Sequence, residues 1–226
     1  MEKGKLYGLG VGPGDPELLT VKAVRLLKEA DIIAVPDKGS GNKTALQIVS
    51  QYVEGKELLY CATPMTRDRS LWDSYHEAIA DKICALLDQG KMVAFITLGD
   101  PTVYSTYIYV HKKVAARGYD AQLVPGVPSF CAAAARLGIS LCENKERLLI
   151  VPASCDLKDS LSIDANKVFM KAGSAIGTLQ EQLKEAGLLD KASMVANCTM
   201  ENEKVYPHFA DMQQDSGYFS LVILKP

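Results

Sequence analysis

Residues 6–20, LYGLGVGPGDPELLT, run from a short apolar strand into a segment with four glycines and two prolines. Glycine adopts backbone angles that other residues avoid and allows close approach of a ligand or another backbone. Proline fixes its own φ angle and removes an N–H donor. We therefore expect a rigid loop after this strand, at the edge of the sheet where open α/β folds bind their ligands.

The spacing of these glycines excludes the common phosphate-binding motifs. The dinucleotide pattern G-x-G-x-x-G meets Pro13 when it is counted from Gly8, and Asp15 when it is counted from Gly10. The segment GSGNKT from residue 39 resembles a P-loop superficially. It does not match the motif, because Asn42 stands where the second glycine of a P-loop is required. The glycines must therefore serve another purpose than binding a nucleotide phosphate.

Composition sets the broad class of the protein. The chain has 226 residues, of which 48% are hydrophobic and 23% charged, and its formal net charge is −2. This suits one large domain or two small ones, and it does not indicate a nucleic acid or an anionic membrane as partner. The beginning of the chain lacks the apolar core of a signal peptide, and no apolar run approaches a membrane span. We expect a cytoplasmic protein.

The cysteines and histidines do not indicate a metal site. The six cysteines form no C-x-x-C pair, so reduced thiols are expected. His76, His111 and His208 are isolated in the sequence, and none belongs to a metal-binding motif. We expect no protein-bound metal.

Apolar periodicity predicts an α/β fold in two domains, with a boundary near residue 120. Residues 1–120 alternate strands and helices, which favours a mostly parallel sheet covered by helices. The strands expected there are 6–9, 31–35, 57–61 and 92–98, and the helices are 20–30, 44–53, 70–89 and 104–116. Residues 121–226 have fewer helices, which favours a mixed sheet. The strands expected there are 121–124, 148–151, 167–171, 192–198 and 219–224, and the helices are 129–137 and 178–186.

The long helix 70–89 has a predicted cap and a predicted apolar face. Ser70 is expected to cap its beginning, and Gly90 to end it. Trp72, Tyr75 and Ile79 are expected to lie on the face that packs against the sheet.

Three loops rich in glycine and proline follow predicted strands, at residues 10–16, 99–106 and 125–130. The middle loop brings Gly99, Asp100 and several hydroxyls to the sheet edge. Asp100 could accept a hydrogen bond from a ligand, or it could cap the helix that follows. The residues alone leave both alternatives open.

The three loops resemble, in their order along the chain, the three signature motifs of the tetrapyrrole methylases, a family that uses S-adenosylmethionine. The segments that carry the resemblance are GLGVGPGDPELLT from residue 8, LGDP from residue 98 and PGVPSF from residue 125. Further segments are similar to the precorrin-2 C-20 methyltransferases of cobalamin biosynthesis, a branch of porphyrin metabolism. These segments are AVP from residue 34, GSGNKTA from residue 39, PMT from residue 64, YST from residue 104 and SFCAAAARLG from residue 129.

The resemblance implies a transferase with two α/β domains, the cofactor in the trough between them, and a homodimer. Relatives from the anaerobic pathway use a cobalt-containing substrate, cobalt-factor II or cobalt-precorrin-2, and the sequence does not decide between these and precorrin-2. A methylase of the same fold acting on another tetrapyrrole position is the alternative. The cofactor contacts implied by motif are Pro13, Gly99, Asp100, Val103, Ser105, Thr106, Ser129, Phe130, Met170, Asn197 and Cys198.

The implied substrate is a polycarboxylate, which needs local cationic groups in a chain of weak negative charge. The substrate contacts that the resemblance suggests are Gly12, Asp15, Lys38, Arg67 and Arg69. Lys43, Lys145 and Arg147 are further cationic candidates in loops, and ordinary solvated surface charge is the alternative for every one of these cations.

The implied reaction needs no nucleophile from the protein. The methyl group would pass from the sulfonium to carbon 20 of the macrocycle, which conjugation with the ring nitrogens makes electron-rich. A base could help to remove the proton from that carbon. Asp100 and Tyr104 are nearest by motif, but the sequence does not nominate a catalytic base. His111 and His208 could contact substrate cobalt, although lone histidines are more often structural.

Overall fold

The computed structural model describes residues 2–37, 39, 43–63, 68–153, 157–212, 217 and 219–225. The chain divides into two units, Met1–Pro128 and Ser129–Pro226. This division falls later than the predicted boundary near residue 120. The reason is the strand Asp120–Val124, which the sequence assigned to the second domain but which pairs with the first strand of the chain.

The first unit contains a five-stranded parallel sheet. Its strands are β1 (Lys5–Gly10), β2 (Ile32–Asp37), β3 (Glu57–Ala62), β4 (Val93–Thr97) and β5 (Asp120–Val124), in the order β3-β2-β4-β1-β5. Its helices are α1 (Val21–Glu29), α2 (Thr44–Val49), α3 (Arg69–Asp88) and α4 (Tyr107–Ala116). Because β1, β4 and β5 are parallel neighbours, the loops that follow them leave the same edge of the sheet.

Both faces of this sheet are buried, as expected when helices cover a parallel sheet on both sides. Leu6 and Phe95 pack with residues of α3 and α4 in one apolar cluster. Leu9 and Ile96 pack with residues of α1 and α2 in another. The predicted α/β class with a mostly parallel first sheet is therefore confirmed.

Helix α3 differs in detail from its prediction. Asp68 caps the helix, since its carboxylate accepts hydrogen bonds from the backbone N–H groups of Ser70 and Leu71. The predicted cap at Ser70 was therefore wrong. Tyr75 is exposed, whereas His76, one position further along, is buried with the rest of the inward face. One residue is a rotation of about 100° around a helix, which moves Tyr75 out of the interface.

The second unit contains a mixed sheet, as predicted. Its strands are β6 (Leu148–Pro152), β7 (Asn166–Met170), β8 (Ala192–Ala196), β9 (Lys204–Tyr206) and β10 (Ser220–Leu224), in the order β6-β7-β10-β8-β9. Its helices are α5 (Ser129–Leu137), α6 (Leu157–Ser162) and α7 (Ile176–Glu185). Strands β7 and β8 each pair antiparallel with β10, so both end at the edge where β10 begins. Within the described part of the chain, no helix is long and apolar enough to cross a membrane.

Candidate functional site

The first two glycine-rich loops are joined by backbone hydrogen bonds beyond the ends of β1 and β4. The N–H of Val11 donates to the carbonyl of Thr97 at 3.0 Å. The N–H of Gly12 donates to the carbonyl of Gly99 at 3.2 Å, and the N–H of Gly99 donates back at 2.8 Å. The two loops therefore form one rigid backbone element.

The glycines in these loops have two different structural roles. Gly12 and Gly99 have φ angles of 76° and 70°, in the left-handed region that favours glycine. Gly10 and Gly126 instead allow contact between backbones. A Cβ on Gly10 would lie 2.5 Å from the nitrogen of Gly126, and a Cβ on Gly126 would lie 2.3 Å from the oxygen of Gly99. Packing of the first and third loops against each other thus requires glycine at both positions.

Asp100 ties the second loop to the third. One carboxylate oxygen accepts from the N–H of Thr102 at 2.7 Å and from its hydroxyl at 2.5 Å. The other accepts from the N–H of Gly126 at 3.0 Å. The side chain is buried, with 7% of the residue exposed. Its bonds hold loop backbone, so within the described structure Asp100 acts as a link between the loops and not as the cap of α4.

The beginning of α4 is held by Ser105. Its hydroxyl is 2.8 Å from the hydroxyl of Thr97 and accepts from the N–H of Tyr107 at 3.3 Å. Tyr104 has a φ angle of 48°, so the helix begins at Tyr107 and not at residue 104 as predicted. Thr106 is exposed and Val103 is half-buried in the same segment.

The first loop uses its acid to bind its own backbone. The carboxylate of Asp15 accepts from the N–H of Glu17 at 2.8 Å and caps the short 3₁₀ helix Pro16–Leu18. Pro13 is buried within the loop. The role of Asp15 toward a substrate stays a prediction.

The structure describes four of the predicted cationic residues, and their surroundings differ. Arg69 lies exposed in the first turn of α3. The ammonium of Lys43 lies 3.9 Å from the centre of the Tyr60 ring. Lys145 and Arg147 are exposed in the second unit. Two further predicted residues, Lys38 and Arg67, lie outside the described residues.

The histidines have structural partners or solvent around them. The hydroxyl of Tyr107 is 3.3 Å from Nδ1 of His111, and burial lowers the pKa of His111 below its ordinary value. His208 is exposed. Among the described residues, no group of three His, Cys, Asp or Glu side chains is placed to hold a metal ion.

In the second unit, the predicted residues Met170, Asn197 and Cys198 lie at one edge of the sheet. Met170 ends β7, and Asn197 and Cys198 follow β8. The N–H of Asn197 donates to the carbonyl of Phe219, just before β10, at 3.0 Å. Burial raises the pKa of the Cys198 thiol to about 12.

The other two predicted residues of this unit begin α5. Ser129 is its first residue and is half-buried, and Phe130 is buried. Glu203 was not predicted as a site residue, and its carboxylate joins α5 to the turn after β8. No local motif marks this contact, because its two sides are distant in the sequence.

Comparison with known proteins gives a consistent set of relatives. A probable cobalt-precorrin-2 C(20)-methyltransferase of Methanocaldococcus jannaschii is 37% identical, with 98% of this chain and 96% of the relative covered. The cobalt-precorrin-2 C(20)-methyltransferase of Salmonella typhimurium is 32% identical over 98% of this chain and 96% of the relative. A precorrin-2 C(20)-methyltransferase of a Sinorhizobium species is 30% identical over 98% of this chain and 95% of the relative.

Solved structures share the fold. A cobalt precorrin-4 methyltransferase, a cobalamin biosynthetic enzyme, superposes with a TM-score of 0.79 at 22% identity, with 97% of this chain and 94% of that chain covered. A uroporphyrin-III C-methyltransferase of Thermus thermophilus, in complex with S-adenosyl homocysteine, gives a TM-score of 0.73 at 20% identity over 98% of both chains. The family model described as Tetrapyrrole (Corrin/Porphyrin) Methylases matches residues 5–211. Because this model matches most of the chain, and because the M. jannaschii relative is 37% identical over 98% of it, the chain belongs to the tetrapyrrole methylases.

Proposed function

We propose that this chain is an S-adenosylmethionine-dependent methyltransferase of cobalamin biosynthesis that methylates carbon 20 of precorrin-2 or of its cobalt-containing form, cobalt-factor II or cobalt-precorrin-2. The proposal rests on sequence identity to two relatives named as cobalt-precorrin-2 C(20)-methyltransferases. The chain is 37% identical to one and 32% identical to the other, over 98% of its length in each case. The linked glycine-rich loops at one sheet edge support it, because this is where open α/β folds bind ligands.

The loop after β4 has the space and the chemical groups that the cofactor needs. Gly99 is buried, yet a Cβ on it would meet no atom of the described residues within 4 Å beyond its chain neighbours. The packing thus leaves room beside its α carbon. Val103 offers an apolar surface in the same loop, and Thr106 offers an exposed hydroxyl. Since the cofactor has both apolar and polar parts, these residues fit it. The contacts of Pro13 are proposed on the motif alone.

Met170, Asn197, Cys198, Ser129 and Phe130 are proposed as the cofactor contacts of the second unit. Their support is the motif resemblance, together with the placement of Met170, Asn197 and Cys198 at one sheet edge. When bound, S-adenosylmethionine supplies the sulfonium methyl group. The residues of the chain orient the reactants and exclude water, and no side chain is assigned as base.

Arg69 and Lys43 are the described cations that we propose for the substrate carboxylates. Arg69 is exposed, and the arginine fork suits bidentate binding of a carboxylate. We expect Arg69→Gln to raise KM for the tetrapyrrole and to leave KM for the cofactor unchanged. Arg25→Gln is the matched control, because Arg25 is an exposed helical arginine paired with Glu29. Equal effects of the two substitutions would reject the role of Arg69.

We further propose a cytoplasmic homodimer without nucleic-acid or membrane partners and without a resident metal. Cobalt would enter only as part of the substrate. The net charge of −2 and the family resemblance support these statements. Light scattering coupled to gel filtration tests the dimer, and metal analysis of the purified protein tests the absence of a resident ion.

The reaction is tested directly with cofactor labelled with ¹³C in its methyl group. Precorrin-2, cobalt-factor II and cobalt-precorrin-2 are each incubated with the protein, and the labelled carbon of the product is located by NMR. We expect label at carbon 20 with at least one of these substrates, and the one that reacts fastest identifies the physiological form. Label at another ring position would support the alternative methylase of the same fold. No incorporation with any of the three substrates would reject the proposal.

A further inference from the structure

The turn between β8 and β9 holds a strained backbone. Asn197 and Thr199 have φ angles of 48° and 65°, in the left-handed region. This conformation is uncommon for residues other than glycine, and it is a strong outlier for a β-branched residue such as threonine. Residues in this conformation persist only where their surroundings hold them. Cys198, between them, is buried.

The side chain of Glu203 helps to hold this turn, together with hydrogen bonds inside it such as that from the N–H of Met200 to the carbonyl of Asn197. One carboxylate oxygen accepts from the N–H of Thr199 at 2.6 Å. The other accepts from Nε of Arg136 at 2.7 Å and lies 2.6 Å from a terminal guanidinium nitrogen. The Glu203 side chain is only 12% exposed, while that of Arg136 is 56% exposed. Burial on its own raises the pKa of Glu203, but Arg136 and the N–H of Thr199 outweigh it and keep the carboxylate ionised.

These contacts join two segments that carry proposed cofactor contacts. Arg136 lies in the last turn of α5, whose first turn contains Ser129 and Phe130. Thr199 lies in the turn that contains Asn197 and Cys198. Both contacts of the Glu203 carboxylate are charge-assisted, with two guanidinium nitrogens of Arg136 on one oxygen and the N–H of Thr199 on the other. Charge-assisted hydrogen bonds are stronger than neutral ones, so they suit the positioning of a backbone.

We propose that Glu203, held by Arg136, is a positioning residue that fixes the 197–199 turn for cofactor binding. This inference rests on the proposed function, because the role of Asn197 and Cys198 toward the cofactor is part of it. Glu203 acts through the backbone of Thr199 and is not itself a contact of the reacting atoms.

The test compares Glu203→Gln with Glu201→Gln, an exposed glutamate on the same turn. Calorimetry measures the Kd for S-adenosylhomocysteine, and steady-state kinetics measures KM for the cofactor and kcat. For Glu203→Gln we expect Kd and KM to rise about tenfold, as for loss of one charge-assisted hydrogen bond, with kcat changed less than about twofold. Glu201→Gln should match the wild type. Arg136→Gln should raise Kd, and the double variant should lose no more than Glu203→Gln alone.

The outcomes separate the inference from the proposed function. A Glu203→Gln protein that unfolds at lower temperature but keeps wild-type Kd and KM would make Glu203 merely structural and overturn the inference. An equal effect of Glu201→Gln would overturn it as well. If the wild type binds S-adenosylhomocysteine and methylates a tetrapyrrole, the proposed function stands in either of these cases. A wild type that binds no S-adenosylhomocysteine would overturn both.

Discussion

Replacement of Asp100 by asparagine should weaken the link between the second and third loops. The carboxylate accepts three hydrogen bonds, two from Thr102 and one from the N–H of Gly126. An asparagine has one acceptor oxygen and one donor nitrogen. In either orientation of its amide, one backbone N–H, that of Thr102 or that of Gly126, faces a donor and loses its acceptor.

The expected loss follows from these bonds. A buried donor left without an acceptor costs about 1–3 kcal/mol, and loss of the charge weakens the remaining bonds by about a further 1 kcal/mol. We therefore expect Asp100→Asn to lower the free energy of unfolding by about 2–4 kcal/mol. Thr102→Val, which removes only the hydroxyl donor, should cost about 1 kcal/mol. The total stability of a typical domain is about 5–15 kcal/mol, so each loss is measurable.

Urea unfolding measures these differences, and calorimetry with S-adenosylhomocysteine measures the effect on binding. Asp31→Asn is the matched control, because Asp31 is exposed and accepts one backbone hydrogen bond, from Met92 at 2.7 Å. It should cost less than about 1 kcal/mol. An Asp100→Asn protein with unchanged stability but strongly reduced affinity would refute the structural role and assign Asp100 to direct cofactor contact. Unchanged stability and unchanged affinity would remove Asp100 from the site altogether.

Three further predictions follow from packing and burial. Gly10→Ala places a Cβ against backbone and should destabilise by about 1–3 kcal/mol in urea unfolding, whereas Gly177→Ala, in open space on a helix, should be neutral or stabilising. His76 has a pKa lowered by burial, so the unfolded chain takes up more protons than the folded one. Stability should therefore fall as pH drops below about 6.5, and His76→Phe should flatten this part of a stability–pH profile. Cys198 is buried with a pKa raised to about 12, so iodoacetamide at pH 8 should label exposed Cys142 first, and equal labelling in a peptide map would contradict this burial.

Local patterns were sufficient to predict most of the elements. The four strands expected before residue 120 and the helix 129–137 are all present, because apolar periodicity and turn residues act over a few neighbouring positions. The boundary between the two units was harder to predict from local patterns. A short strand such as β5 joins whichever sheet has a free edge, and that choice depends on β1, which is more than a hundred residues earlier.

The buried face of α3 shows a second reason why sequence patterns were insufficient. Tyr75 and His76 are adjacent, and the pattern favoured the more apolar tyrosine for the interior. The structure buries His76, whose Nδ1 lies 2.7 Å from the carbonyl of Trp72 and whose ring packs 4.2 Å from the ring of Trp72. One of the two ring nitrogens of His76 thus finds a partner on its own helix, and hydropathy alone does not detect this.

The glycines show why the site was harder to predict than the fold. A sequence shows where a glycine stands, but not what occupies the space that a side chain would fill. Gly10 and Gly126 face backbone, whereas no atom of the described residues lies within 4 Å of a Cβ built on Gly99, apart from its chain neighbours. Of these three glycines, Gly99 therefore has room beside it for a ligand, and the other two allow the loops to pack together. The role of Asp100 was open in the sequence for a similar reason. A carboxylate at a sheet edge is equally suited to bind a ligand or loop N–H groups, and only the fold brings the N–H of Gly126 within reach of it.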